Sequence, residues 1–106
     1  MKAKRLSGLF TVLAIILLII SLFMLYAGHD KMTNYRNSEY NTSKNVNAYV
    51  GGDAYNYIIN GNYATGYFVL AMGSFTSCIV CAGISAVLAA LNELSVSKNK
   101  EETNNE

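Results

Sequence analysis

The residues best suited to chemistry are two cysteines three positions apart, Cys78-Ile79-Val80-Cys81. In a soluble thioredoxin-like setting such a C-x-x-C pair exchanges disulfides. Here the pair lies within an uncharged apolar stretch, where low dielectric penalises a thiolate. The stretch holds no histidine or carboxylate to lower a thiol pKa. Two thiols alone do not complete a tetrahedral zinc site. The cysteines therefore read as small apolar residues of a packing strip; an intermolecular disulfide is the chemical alternative. His29, the sole histidine, stands beside Asp30 just after another apolar run. It reads as a solvated polar residue, with pH sensing as its alternative. Asn41-Thr42-Ser43 matches a glycosylation acceptor, a three-residue pattern of low specificity in an Asn-rich stretch. A glycine-rich phosphate loop, a Ser-His-Asp set and an H-E-x-x-H pair are all missing from the sequence. Val50-Gly51-Gly52-Asp53 is not the filter of potassium channels. No catalytic, cofactor-binding or metal residue is assigned, and the chain is expected not to be an enzyme and to need no cofactor.

The elements around these residues are dominated by two apolar runs. Of 106 residues, 52% are hydrophobic and 14% charged, against roughly 25% charged in an ordinary soluble domain. A net charge of +1 leaves no footprint for nucleic acid. Residues 6–27 carry no charge over 22 positions, roughly 33 Å of helix, enough for a hydrocarbon core of about 30 Å. Residues 67–91 are 25 uncharged positions, enough to span with some tilt. The competing reading of the first run is a cleaved signal peptide. Its length exceeds the usual apolar region of such peptides, and Leu25 occupies a site where a small residue belongs. An uncleaved anchor is the favoured reading.

Basic residues set the orientation. Lys2, Lys4 and Arg5 precede the first run; Lys31, Arg36 and Lys44 lie between the runs; Lys98 and Lys100 follow the second. Both termini in the cytoplasm places five basic residues inside and three outside. All eight tyrosines lie from Tyr26 to Tyr67, so one membrane face carries the aromatic belt.

The connection divides in two. Residues 28–45 are polar and aperiodic, and are expected to form a mobile outer loop. Residues 46–66 are Tyr-rich. Asp53 suits an N-cap and Gly61 a helix stop. Between them Ala54, Tyr55, Ile58 and Ile59 fall opposite Asp53, Asn56 and Asn60, which predicts a short interfacial helix. A hairpin turning at Gly51-Gly52 and a structureless aromatic anchor are its rivals. Tyr26, Tyr49, Tyr55, Tyr57, Ile58, Ile59, Tyr63 and Tyr67 are the expected membrane-interface anchors. Residues 92–106 read as a polar cytoplasmic tail that frays.

Residues 47–73, NAYVGGDAYNYIINGNYATGYFVLAMG, resemble a segment recurring in short predicted membrane proteins of Gram-positive bacteria. The resemblance covers about a quarter of the chain. It implies two spans and a bacterial cell membrane. That group has no assigned activity, so the resemblance brings no functional residues.

Small residues recur at spacing four in the second run. One row is Gly73, Ser77, Cys81, Ser85 and Ala89; the other is Ser74, Cys78, Ala82, Ala86 and Ala90. Such rows permit close helix approach in lipid and favour a crossing near −40°. The partner is either the first span or the second span of another copy.

The expected architecture is an all-α membrane protein, a two-helix transmembrane hairpin with a short interfacial helix in its outer loop. The leading functional reading is a small integral membrane protein acting by helix–helix contact, as an accessory or regulatory subunit or a homo-oligomer. Its expected partners are the lipid bilayer and another membrane protein or itself. A holin- or channel-like pore former, with Ser74, Thr76, Ser77 and Ser85 along its pathway, is the alternative. A membrane thiol oxidoreductase is the third reading.

Overall fold

A computed structural model describes residues 2–33 and 53–105, with the backbone alone for 53–57. Two helices account for nearly all of these: α1, Lys2–Thr33, of 32 residues, and α2, Asp53–Asn104, of 52 residues. At about 1.5 Å per residue they are roughly 48 and 78 Å long. No strand occurs among the described residues. Both helices are long and apolar enough to cross a membrane. The expected outer loop of 28–45 lies outside the described residues from position 34 onward, and so does Gly51-Gly52.

The helix boundaries differ from the sequence reading. α1 runs six residues past Ala27, through Gly28 to Thr33. Thr33 Oγ1 donates to the His29 carbonyl at 2.8 Å, and Lys31 sits in the last turn, where a cation suits the carbonyl-rich end. The separate short helix expected between Asp53 and Gly61 does not exist as an element of its own: those residues are the first turns of α2. Gly61 is not a stop, and the Thr65 hydroxyl donates to its carbonyl at 2.8 Å. A glycine inside a helix costs about 1 kcal/mol relative to alanine. That is less than a helix loses by breaking and renucleating, and Asn60 and Ala64 are buried on either side of it. Finally, the tail is helical to Asn104, where Asn105 N–H folds back to the Glu102 carbonyl at 3.3 Å. No glycine or proline follows Gly83, so an established helix elongates at no nucleation cost.

The chain forms two compact units, and each contains part of both helices. Unit 1 joins Met1–Leu18 with Phe75–Glu106, and unit 2 is Ile19–Ser74. In unit 1 Ser7 meets Ser85. In unit 2 Ser21 meets Ala71, and the later Lys31 meets the earlier Tyr63, so these segments run antiparallel.

The surface is inverted relative to a water-soluble protein. Large apolar side chains face outward along both helices, Phe23 and Val69 being 64% and 65% exposed. Several of the most buried side chains are polar: Ser21, Asn60 and Ser85.

Candidate helix-packing site

Burial along each helix follows one narrow line. On α1 the covered positions are Ala3, Ser7, Phe10, Ala14, Leu17, Ser21, Met24, Gly28 and Lys31, flanked by Ala27 and Asp30. On α2 they are Asn60, Ala64, Tyr67, Ala71, Ser74, Cys78, Cys81, Ser85, Leu88 and Asn92, flanked by Ile59, Gly61 and Phe68. Both lines step by four and three in turn. That is seven residues per two turns, the period of a left-handed helix pair. Every second position on the α1 line is small: Ser7, Ala14, Ser21 and Gly28. So is every second position on α2 from Ala64 through Ala71 and Cys78 to Ser85. Small side chains at these levels let the backbones approach.

In unit 1 the approach is sealed by hydroxyls. Ser7 Oγ donates to the Ser85 carbonyl at 3.0 Å, and Ser85 Oγ donates to the Ser7 carbonyl at 2.9 Å. The two hydroxyl oxygens are 3.1 Å apart. Thr11 Oγ1 lies 2.7 Å from Ser85 Oγ and 3.0 Å from the Ser7 carbonyl. Each hydroxyl has one proton to give, and in this set each proton has an acceptor. Ser85 is 8% exposed and Ser7 half-buried, while Thr11 lies at the exposed edge of the set. Cys81, at 9%, is covered next to it, and Cys78 is half-buried on the same line. Both are free thiols.

In unit 2 the seam depends on close contact. Ser21 Oγ donates to the Ala71 carbonyl at 2.9 Å. A Cβ added at Gly28 would stand 2.6 Å from Phe68 Cε1, well inside contact distance. The Lys31 ammonium lies 5.8 Å from the centroid of the Tyr63 ring, within cation–π range. Asn60, 1% exposed, is engaged by a neighbouring group, as are Asp30 and Lys31. On the outer surface Asn62, Tyr63, Gly66, Tyr67 and Leu70 border an open groove of ≈ 320 Å³ that grades from polar to apolar.

The two small-residue rows expected on α2 part company here. Ser74, Cys78, Cys81 and Ser85 lie on the covered line. Gly73, Ser77, Ala82, Ala86, Ala89 and Ala90 are exposed, and nothing lies within 4 Å of a Cβ built at Gly73. The covered line thus takes two members from each row, because a seam of period 3.5 cuts across rows of spacing four. The sequence reading offered the first span as one of two partners but did not resolve which of its residues form the α1 half of the seam. The signal was present as four small residues spaced by seven, which a search at spacing four cannot see.

The expected anchors divide as well. Tyr26, Ile58 and Tyr63 are exposed, while Ile59 and Tyr67 are half-buried, all within unit 2. Tyr49 lies outside the described residues; Tyr55 and Tyr57 fall in α2 where only the backbone is described. Among the described residues no three His, Cys, Asp or Glu side chains gather to hold a metal ion. No protein-family model matches the chain, and neither does a curated protein or a solved structure.

Proposed function

We propose that the chain is a small integral membrane protein whose working part is its helix surface, and that it acts by lateral contact with another membrane protein or with its own copies. The observation that carries this reading is the inverted surface: in each helix only 11% of the most apolar stretch is buried, while Ser21 and Ser85 are turned inward. In water such a surface would aggregate; in lipid it is solvated, and inward hydroxyls avoid hydrocarbon. Both termini lie in the cytoplasm of a bacterial cell, with the tyrosines at the outer interface. α1 supports that orientation. Its first turn has no acidic residue and carries Lys2 and Lys4, with Arg5 directly after. This is the wrong charge for a helix start, at a cost of about 0.3–1 kcal/mol each. Attraction to an anionic leaflet, about 1 kcal/mol per cation, offsets it. In this reading the groove beside Tyr63 and Tyr67 takes lipid at the headgroup boundary.

The pore reading is less well supported. Ser85 is engaged by Ser7 and Thr11 and Ser74 is half-buried on the covered line, whereas Thr76 and Ser77 are exposed, so the four do not open together. Two measurements test the proposal. A reporter active only in the cytoplasm, fused after Glu106, is expected to be active, and an export-dependent reporter inserted after Ser43 likewise. Induced expression is expected to leave the membrane potential intact; its collapse would favour the pore.

A further inference from the structure

The seam repeats itself. Small residues recur every seven positions on both helices, so sliding one helix by a heptad, about 10 Å, again sets small against small. The repeated small positions by themselves separate these registers weakly. The Ser21 bond does not separate them either, because its acceptor is a backbone carbonyl, which every residue of α2 offers.

We propose that the hydroxyl set of Ser7, Thr11 and Ser85 is the register lock of the helix pair, with Ser85 as its positioning residue. Ser85 joins both α1 hydroxyls: its Oγ stands 2.7 Å from Thr11 Oγ1 and 3.1 Å from Ser7 Oγ, and these hydroxyl–hydroxyl contacts, unlike the two bonds between Ser7 and Ser85 that end on backbone carbonyls, occur at one level only among the described residues. This side-chain constellation does not recur along the seam. A slip of one heptad in one direction sets Ser85 opposite Ala14, which has no hydroxyl; in the other it sets Ser7 and Thr11 against Cys78 in place of Ser85. Both slips separate the Ser85 hydroxyl from the two hydroxyls of α1. The inference rests on the bilayer reading, since hydrocarbon supplies no water to replace the lost bonds.

Disulfide trapping in membranes tests it, with Cys81→Ala throughout so that one thiol on α2 reports. Ala14→Cys against native Cys78 reads the register of the structure. Ala14→Cys with Ala71→Cys and Cys78→Ala reads a slip in one direction, and Ser21→Cys against Cys78 reads the other. Each pair is measured with and without Ser85→Ala. With Ser85 in place, the first pair is expected to cross-link and the others to remain at background. Adding Ser85→Ala is expected to shift the ratio toward a slipped pair by about threefold, the worth of the one hydroxyl–hydroxyl bond lost. Ser7→Ala with Thr11→Val, which removes the partners and keeps Ser85, is expected to shift it the same way. Ser74→Ala, on the same covered line, is expected to leave the ratio unchanged. An unchanged ratio with Ser85→Ala and with the Ser7→Ala, Thr11→Val pair would overturn the lock, as would an equal shift with Ser74→Ala. A reporter after Glu106 found active only outside the cell would instead overturn the bilayer reading, leaving the cross-link pattern to judge the register separately.

Discussion

The two units join the same two helices by different means. Unit 1 uses side-chain hydroxyls that trade hydrogen bonds across the seam, at Ser7, Thr11 and Ser85. Unit 2 relies more on close approach: Gly28 admits the Phe68 ring, Ser21 reaches a backbone carbonyl, and Lys31 stands over the Tyr63 ring. The contrast shows that a shared pattern of small residues does separate jobs. In unit 1 smallness brings polar groups into range of each other; in unit 2 it removes an obstacle to a large ring. The first arrangement is sensitive to chemistry and the second to volume.

The largest expected effect is therefore steric and falls in unit 2. Gly28→Leu drives carbon into the Phe68 ring and should destabilise helix pairing by about 1–3 kcal/mol, a typical overpacking cost. Reversible unfolding in detergent micelles would measure it. Phe68→Ala in the same chain should recover much of the loss, while Gly73→Leu, in open space, should cost nothing in pairing. Equal losses at Gly28 and Gly73 would break the distinction between covered and open glycines.

The next effect is chemical and falls in unit 1. Ser85→Ala removes two hydrogen bonds and should cost about 1 kcal/mol, at roughly 0.6 kcal/mol per interhelical bond. Ser21→Ala in unit 2 removes one bond and should cost about half as much. If the order reversed, unit 2 rather than unit 1 would be the polar half of the seam.

How far the sequence could be read follows the same division. The two apolar runs and their all-helical character were legible, because long uncharged stretches leave few options. Helix ends were not. Gly61 resembles a stop, but a glycine's local cost is smaller than the cooperativity of a helix already formed on both sides. The polar residues after Leu91 resemble a fraying tail, yet without a breaker the helix runs on to Asn104. The packing line was half legible. Ser74, Cys78, Cys81 and Ser85 belong to the rows read at spacing four, but the pairing period is 3.5, so the other six members face away from α1. The hydroxyl exchange could not be read at all, since it depends on which level of α1 meets Ser85.

The smallest effects concern the residues that first suggested chemistry and those left facing outward. Cys78→Ala and Cys81→Ala together should leave any cellular phenotype unchanged, as small-for-small replacements on the seam; a lost phenotype would restore the thiol oxidoreductase reading. Ser77→Leu should leave the pairing of α1 with α2 untouched and reduce only contacts between chains, measured by cross-linking in membranes. Cys81→Leu, on the covered line, should disturb the pairing within the chain. Identical behaviour of these two leucine variants would erase the difference between the two sides of α2.

The central claim is that the α1 and α2 segments of one chain pair with each other within each unit, antiparallel in unit 2. Its most direct test is oxidation of isolated membranes carrying Ser21→Cys and Ala71→Cys, with Cys78→Ala and Cys81→Ala. A disulfide within the chain, migrating as a cross-linked monomer, is the expected result. A disulfide only between chains, or none at all, would contradict the account.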